Sequence, residues 1–175
     1  VDPARVLLIG HSMGGFAVLA ASASNPPGVL GTISFAGAVG SPRPDYVCQP
    51  DSLIDVDRTF GTGARIPSLW IFAVNDDFFA PALARAMLNA YVANGASASL
   101  FEAPSFGGNG HMLVGSPDGA AWWPRVAAFL RTLNLPTNIL VPLPEPRELA
   151  QPTPLDDAGR DAFANYVPSR SYEKA

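Results

Sequence analysis

The chain has 175 residues, of which 48% are hydrophobic and 15% charged, and its formal net charge is −4. That balance suits one globular domain with a sizeable core, and it argues against a nucleic acid or an anionic membrane surface as partner. The lone Cys48 can form no internal disulfide, so packing must hold the fold, and its thiol reads as inert rather than nucleophilic. No apolar run approaches membrane-spanning length.

Apolar strand-like runs alternate with helical patterns along the chain. "RVLLIG" (5–10) reads as a buried strand, and residues 12–24 as a helix ended by Asn25, Pro26 and Pro27. "GTISFAG" (31–37) is a second strand, followed by a proline-rich polar loop (41–50) and a helix around 51–60. "PSLWIFAV" (67–74) is a third strand. Residues 81–94 form an amphipathic helix with Pro81 at its start and Gly95 just past its end. "SASLFEAP" (97–104) is a fourth strand, and 116–133 a final helix. Strand alternating with helix predicts a three-layer α/β domain, a mainly parallel sheet with helices on both faces. Beyond it, six of the 18 prolines fall between Pro136 and Pro154, a spacing no helix can run through. Residues 1–133 are therefore expected to form the folded region. Residues 134–154 should be an extended segment, and 155–175 a short helix or a disordered end.

The chemistry concentrates at the first strand-to-helix boundary, "GHSMGG" (10–15). A packing-only turn needs no serine and fewer glycines. A nucleophile elbow needs both: the serine sits on a strained turn, and flanking side chains would clash with the neighbouring strand or helix. The turn also sets the serine at a helix N-terminus, whose amides and dipole favour developing negative charge. Ser12 is thus the candidate nucleophile. An acid should follow a later strand. Asp76 and Asp77, in "AVNDDFFAP" (73–81), come at the C-terminal end of the third strand, where catalytic groups gather in open α/β sheets. Asp76 is taken as the acid, with Asp77 turned to solvent or to the helix start; a plain cap is the bland reading of the pair. Asp45, after the second strand, is a rival acid. The base is His111, in the glycine-rich loop "FGGNGHMLVG" (106–115) after the fourth strand. The other histidine, His11, adjoins the nucleophile and reads as a shaping residue of the elbow.

The order Ser12, Asp76, His111 is that of the α/β hydrolases. With "GHSMGG", "LWIFAVNDDFFAP" and "GNGHMLV", the chain resembles their dienelactone hydrolase-like branch over residues 1–133. The resemblance implies a Ser-His-Asp serine esterase acting on a small ester or acyl substrate, with the Met13 N–H as one oxyanion donor and no metal or organic cofactor. A peptidase or acyltransferase on the same triad, or a non-catalytic fragment acting as a binding module, are the alternatives. Two departures stand out. The namesake enzyme carries cysteine at the elbow where Ser12 stands, which speaks against a dienelactone substrate. The fold also has strands before the elbow, whereas Val1 lies a few residues from the first strand here. The chain is accordingly expected to start mid-fold, to lack the second oxyanion donor and to leave strand 5–10 as an unpaired apolar edge. Phe78, Phe79, Phe106 and Met112 flank the triad in sequence and are candidates for an acyl pocket, or for core. The short insertion after the second strand predicts no large lid.

Overall fold

A computed structural model describes residues 2–116 and 119–138. The expectations for the proline-rich segment beyond Asn138 and for residues 155–175 fall outside the described residues.

Four parallel strands, β1 (Val6–His11), β2 (Val29–Phe35), β3 (Ser68–Ala73) and β4 (Ala98–Ala103), lie side by side in chain order. Helices α1 (Met13–Ser22), α2 (Pro50–Gly63) and α3 (Pro81–Val92) form the crossovers, and α4 (Trp123–Thr132) follows β4. Parallel crossovers are right-handed, so a sheet built monotonically in one direction puts every crossover helix on the same face. The core divides accordingly. Trp70 and Phe72 of β3 pack with Leu19, Leu53, Met87 and Tyr91 from α1, α2 and α3. Leu69 and Ile71 of the same strand point the other way, toward Val126 and Leu130 of α4. Period-two alternation within one apolar strand thus supplies both layers. The three-layer parallel architecture read from the sequence is the one observed. Among the described residues β1 pairs only with β2, and its Ile9 is 55% exposed.

The last helix is shorter than expected. It begins at Trp123, not near residue 116, because Pro124 fits only in a first turn; inside a helix its ring would clash with the carbonyl four residues back. Gly119, at φ +58°, turns the chain just before it, and the Gly119 carbonyl accepts from the N–H groups of Trp122 and Trp123. Residues 110–115, expected as loop, form a short 3-10 helix. No described helix is long and apolar enough to cross a membrane.

Candidate active site

Three connections at the C-terminal end of the sheet converge. The first is the β1–α1 turn. Ser12 takes φ 53°, ψ −123°, a backbone conformation that side-chain-bearing residues rarely adopt and that costs about 1–3 kcal/mol. It is pinned there because its N–H donates to the Phe35 carbonyl (2.9 Å) while its own carbonyl accepts from the Phe16 N–H (3.0 Å). The glycines around it are not equivalent. A Cβ on Gly10 would sit 2.1 Å from the Gly14 carbonyl oxygen, and one on Gly15 would sit 2.7 Å from the Gly37 Cα. Gly14 faces nothing within 4 Å. The close-approach positions are therefore Gly10 and Gly15; the expectation that side chains flanking the serine would clash fails at Gly14. Met13, 72% exposed, opens α1, where the first N–H groups lack partners within the helix.

The second connection follows β3. Asp76 is buried, and its Oδ1 accepts from the N–H groups of Phe78 and Phe79, each at 2.9 Å. These bonds close the turn after β3 but do not cap α3, which begins after Ala80 with no side-chain cap, so the capping alternative is not what this carboxylate does. The third connection is the 3-10 helix after β4. His111 Nδ1 lies 3.1 Å from Oδ2 and 3.2 Å from Oδ1 of Asp76. An ionised carboxylate only accepts, so the Nδ1 proton points to Asp76 and Nε2 is free to accept. Nε2 lies 3.1 Å from Ser12 Oγ. Ser12, His111 and Asp76 thus form one continuous hydrogen-bonded chain across 99 and 35 residues of sequence.

The rival acids lie elsewhere. Asp45 is exposed, and its N–H donates to the Asp77 carbonyl at 2.7 Å. Asp77 has no side-chain bond to His111 among the described residues; its N–H approaches Asn109 Oδ1 at 3.4 Å.

Side chains not singled out in the sequence hold the two loops together. Asn109 Oδ1 accepts from the His111 N–H (2.8 Å) and caps the 3-10 helix. Asn75 Oδ1 accepts from the Phe106 N–H (2.9 Å), while its carbonyl accepts from the Gly110 N–H (2.9 Å). A Cβ on Gly110 would strike Asn75 Oδ1 and Ala73 Cβ, each at 2.5 Å, so only glycine lets the acid and base loops approach this closely. Asn in a turn is a visible signal, but a partner some thirty residues away is not. His11 does more than shape the elbow: its Nε2–H donates to the His111 carbonyl (2.8 Å), with ring centroids 4.9 Å apart.

A cavity of about 200 Å³ opens over Ser12 and His111, walled by Met13, residues 38–41, Phe78 and Phe79. The Phe78 and Phe79 rings lie 4.8 and 5.6 Å from the His111 ring. Phe106 instead packs into the apolar cluster under α4, and Met112 stands 57% exposed; neither lines this cavity. The expectation of a four-residue pocket is thus reduced to Phe78 and Phe79, because the 3-10 helix turns Met112 outward from His111 and Asn75 draws Phe106 away.

No protein-family model and no curated protein matches the sequence. Solved structures do match the fold. A candidate dienelactone hydrolase from Klebsiella pneumoniae is similar over 74% of this chain and 53% of its own, at 16% identity and a TM-score of 0.53. The esterase PE8 is similar over 76% of this chain and 52% of its own, at 24% identity and a TM-score of 0.51. An acylaminoacyl peptidase from Pyrococcus horikoshii covers 86% of this chain with 27% of its own length, at 14% identity and a TM-score of 0.54. The chain spans about half the length of the first two. Parallel strands in chain order, a serine turn after β1 and these likenesses agree: the chain has the α/β-hydrolase fold.

Proposed function

We propose that this chain carries the catalytic centre of a serine hydrolase that cleaves a carboxylic ester or related acyl bond. The observation that supports this most is the unbroken series Asp76–His111–Ser12, with heavy-atom distances of 3.1 Å on both sides of the imidazole. Ser12 Oγ attacks the acyl carbon as its proton passes to His111 Nε2, and the Oγ–C bond forms. The Met13 N–H, at the positive end of α1, stabilises the tetrahedral oxyanion. Collapse breaks the bond to the leaving alcohol, which takes the proton from Nε2. Water then repeats the sequence on the acyl-serine, releasing the acid and restoring the enzyme. Asp76 holds the tautomer and offsets the imidazolium charge; the Phe78 and Phe79 N–H groups in turn fix the carboxylate. The strained turn at Ser12 is the kind of backbone that persists where function requires it. The names of the structural neighbours, esterase and peptidase, point to the same chemistry.

Labelling with a fluorophosphonate probe tests the reading. A covalent adduct on Ser12, absent from Ser12→Ala, is expected. Folded protein that takes up no probe would overturn it. A panel of aryl esters against aminoacyl amides separates ester from peptide hydrolysis.

A further inference from the structure

Beside the cavity over Ser12 lies a second one of about 270 Å³, and the two share Val39 and Gly40. Its walls are apolar: Phe16 of α1, Val39, and Leu53 and Val56 of α2, with Gln49 and Ser52 at the rim. Phe16 is four residues after Ser12 and its N–H bonds to the Ser12 carbonyl, so its side chain leaves α1 on the nucleophile's side of the helix. Leu53 and Val56, three apart, share one face of α2. The apolar cavity therefore adjoins the one over Ser12, with Val39 and Gly40 at their common border. A third cavity of about 350 Å³ shares Phe78 with the one over Ser12 and is lined by the carboxylates Asp45, Asp76 and Asp77 together with apolar residues such as Val47 and Leu83.

These two neighbouring cavities are chemically unequal. The leaving group receives its proton from His111 Nε2 and departs from the cavity over Ser12 itself. The third cavity carries the Asp45, Asp76 and Asp77 carboxylates and suits an aliphatic chain less well than the second, which has no charged residue in its lining. The acyl chain stays attached to Ser12 Oγ, and the uncharged cavity borders the one over that serine. We infer that the apolar cavity between Phe16, Val39, Leu53 and Val56 is the acyl subsite, and that the preferred substrates are esters of unbranched aliphatic acids longer than acetate. This rests on the acyl-serine reading above.

The test is a series of p-nitrophenyl esters, acetate through octanoate, which vary the acyl chain with one leaving group. Each methylene that enters an apolar site raises kcat/KM by about fourfold at most. Four methylenes set a ceiling of about 250-fold, and hexanoate is expected to exceed acetate by about tenfold or more within it. Val56→Trp and, one turn earlier, Ser52→Trp fill the cavity from exposed positions on α2. Each is expected to cut the hexanoate-to-acetate ratio by about tenfold or more, with a thermal melt reporting that the variant is folded. Acetate preferred over longer chains by wild-type protein that still takes the fluorophosphonate on Ser12 would overturn the subsite and leave the hydrolase reading standing. So would an unchanged ratio in both folded variants. Failure of the wild-type protein to label would overturn both.

Discussion

Asp57→Asn is expected to stabilise the protein at neutral pH, although it alters a fully buried residue. Asp57 lies on the inward stripe Leu53–Asp57–Gly61 of α2. Along this stripe α2 approaches α3 so closely that a Cβ on Gly61 would sit 1.8 Å from the Tyr91 carbonyl oxygen. Neither carboxylate oxygen has a hydrogen-bond partner among the described residues. Burial without compensation disfavours the charged form, which pushes the Asp57 pKa up to about 8 from its ordinary 3.8. The folded state therefore holds a proton that the unfolded chain has already released. Stability from this group is complete below the unfolded pKa, declines as pH rises toward the folded value, and is flat above it. The slope is about 1.4 kcal/mol per pH unit, or about 4 kcal/mol accumulated at pH 7. Asn has nearly the same shape and cannot ionise. Its amide is as poorly bonded as the acid, so the gap between the two proteins at one pH includes an unsatisfied-group contribution of about 1–3 kcal/mol. The change in that gap with pH does not. Urea unfolding of both proteins at pH 5 and pH 7.5 should show the variant gaining about 3 kcal/mol on the wild type between the two conditions, roughly 6–12 °C in Tm at this chain length. Parallel stability curves, with the same gap at both pH values, would refute the reasoning.

His111→Gln should lower turnover by several orders of magnitude with the fold intact, measured as kcat on a chromogenic ester alongside a thermal melt. His11→Gln retains an N–H that can reach the His111 carbonyl and should lose far less; equal losses would show that the roles are misassigned. Asp76→Asn should reduce kcat by about 10⁴, since an amide favours the wrong imidazole tautomer, while Asp77→Asn should stay within a few-fold of wild type in the same assay. Gly10→Ala and Gly15→Ala should fold poorly or lose probe labelling at Ser12, because each Cβ meets backbone at less than 3 Å, whereas Gly14→Ala should express and label normally.

How much was legible beforehand depends on the range of the interaction concerned. The strand runs and helical stripes are local patterns, and they carried the parallel three-layer sheet, because a strand apolar on both faces is stable only between two helix layers. That Ser12, Asp76 and His111 come within hydrogen-bond distance was foreshadowed for a related reason. The strand-to-loop connections at one end of such a sheet are its usual working edge, so chain order and strand ends narrowed the candidates to few. The start of α4 could also have been read locally, from Pro124 alone. Other features needed the folded coordinates. That Gly15 is cramped depends on Gly37, brought alongside it only when β2 pairs with β1, whereas Gly10 is cramped by the nearby Gly14 carbonyl. The choice of Asp76 over Asp77 follows from a turn closed by the Phe78 and Phe79 N–H groups, which aims one carboxylate inward. The bonds of His11, Asn75 and Asn109 reach across some thirty to a hundred residues, and the orphaned carboxylate of Asp57 exists only because α2 is pressed against α3. Residue type and spacing determine which elements form and where reactive groups are carried. Contacts between elements distant in the chain decide which group faces which, because those distances are set by packing, and packing has no signature at the level of single residues.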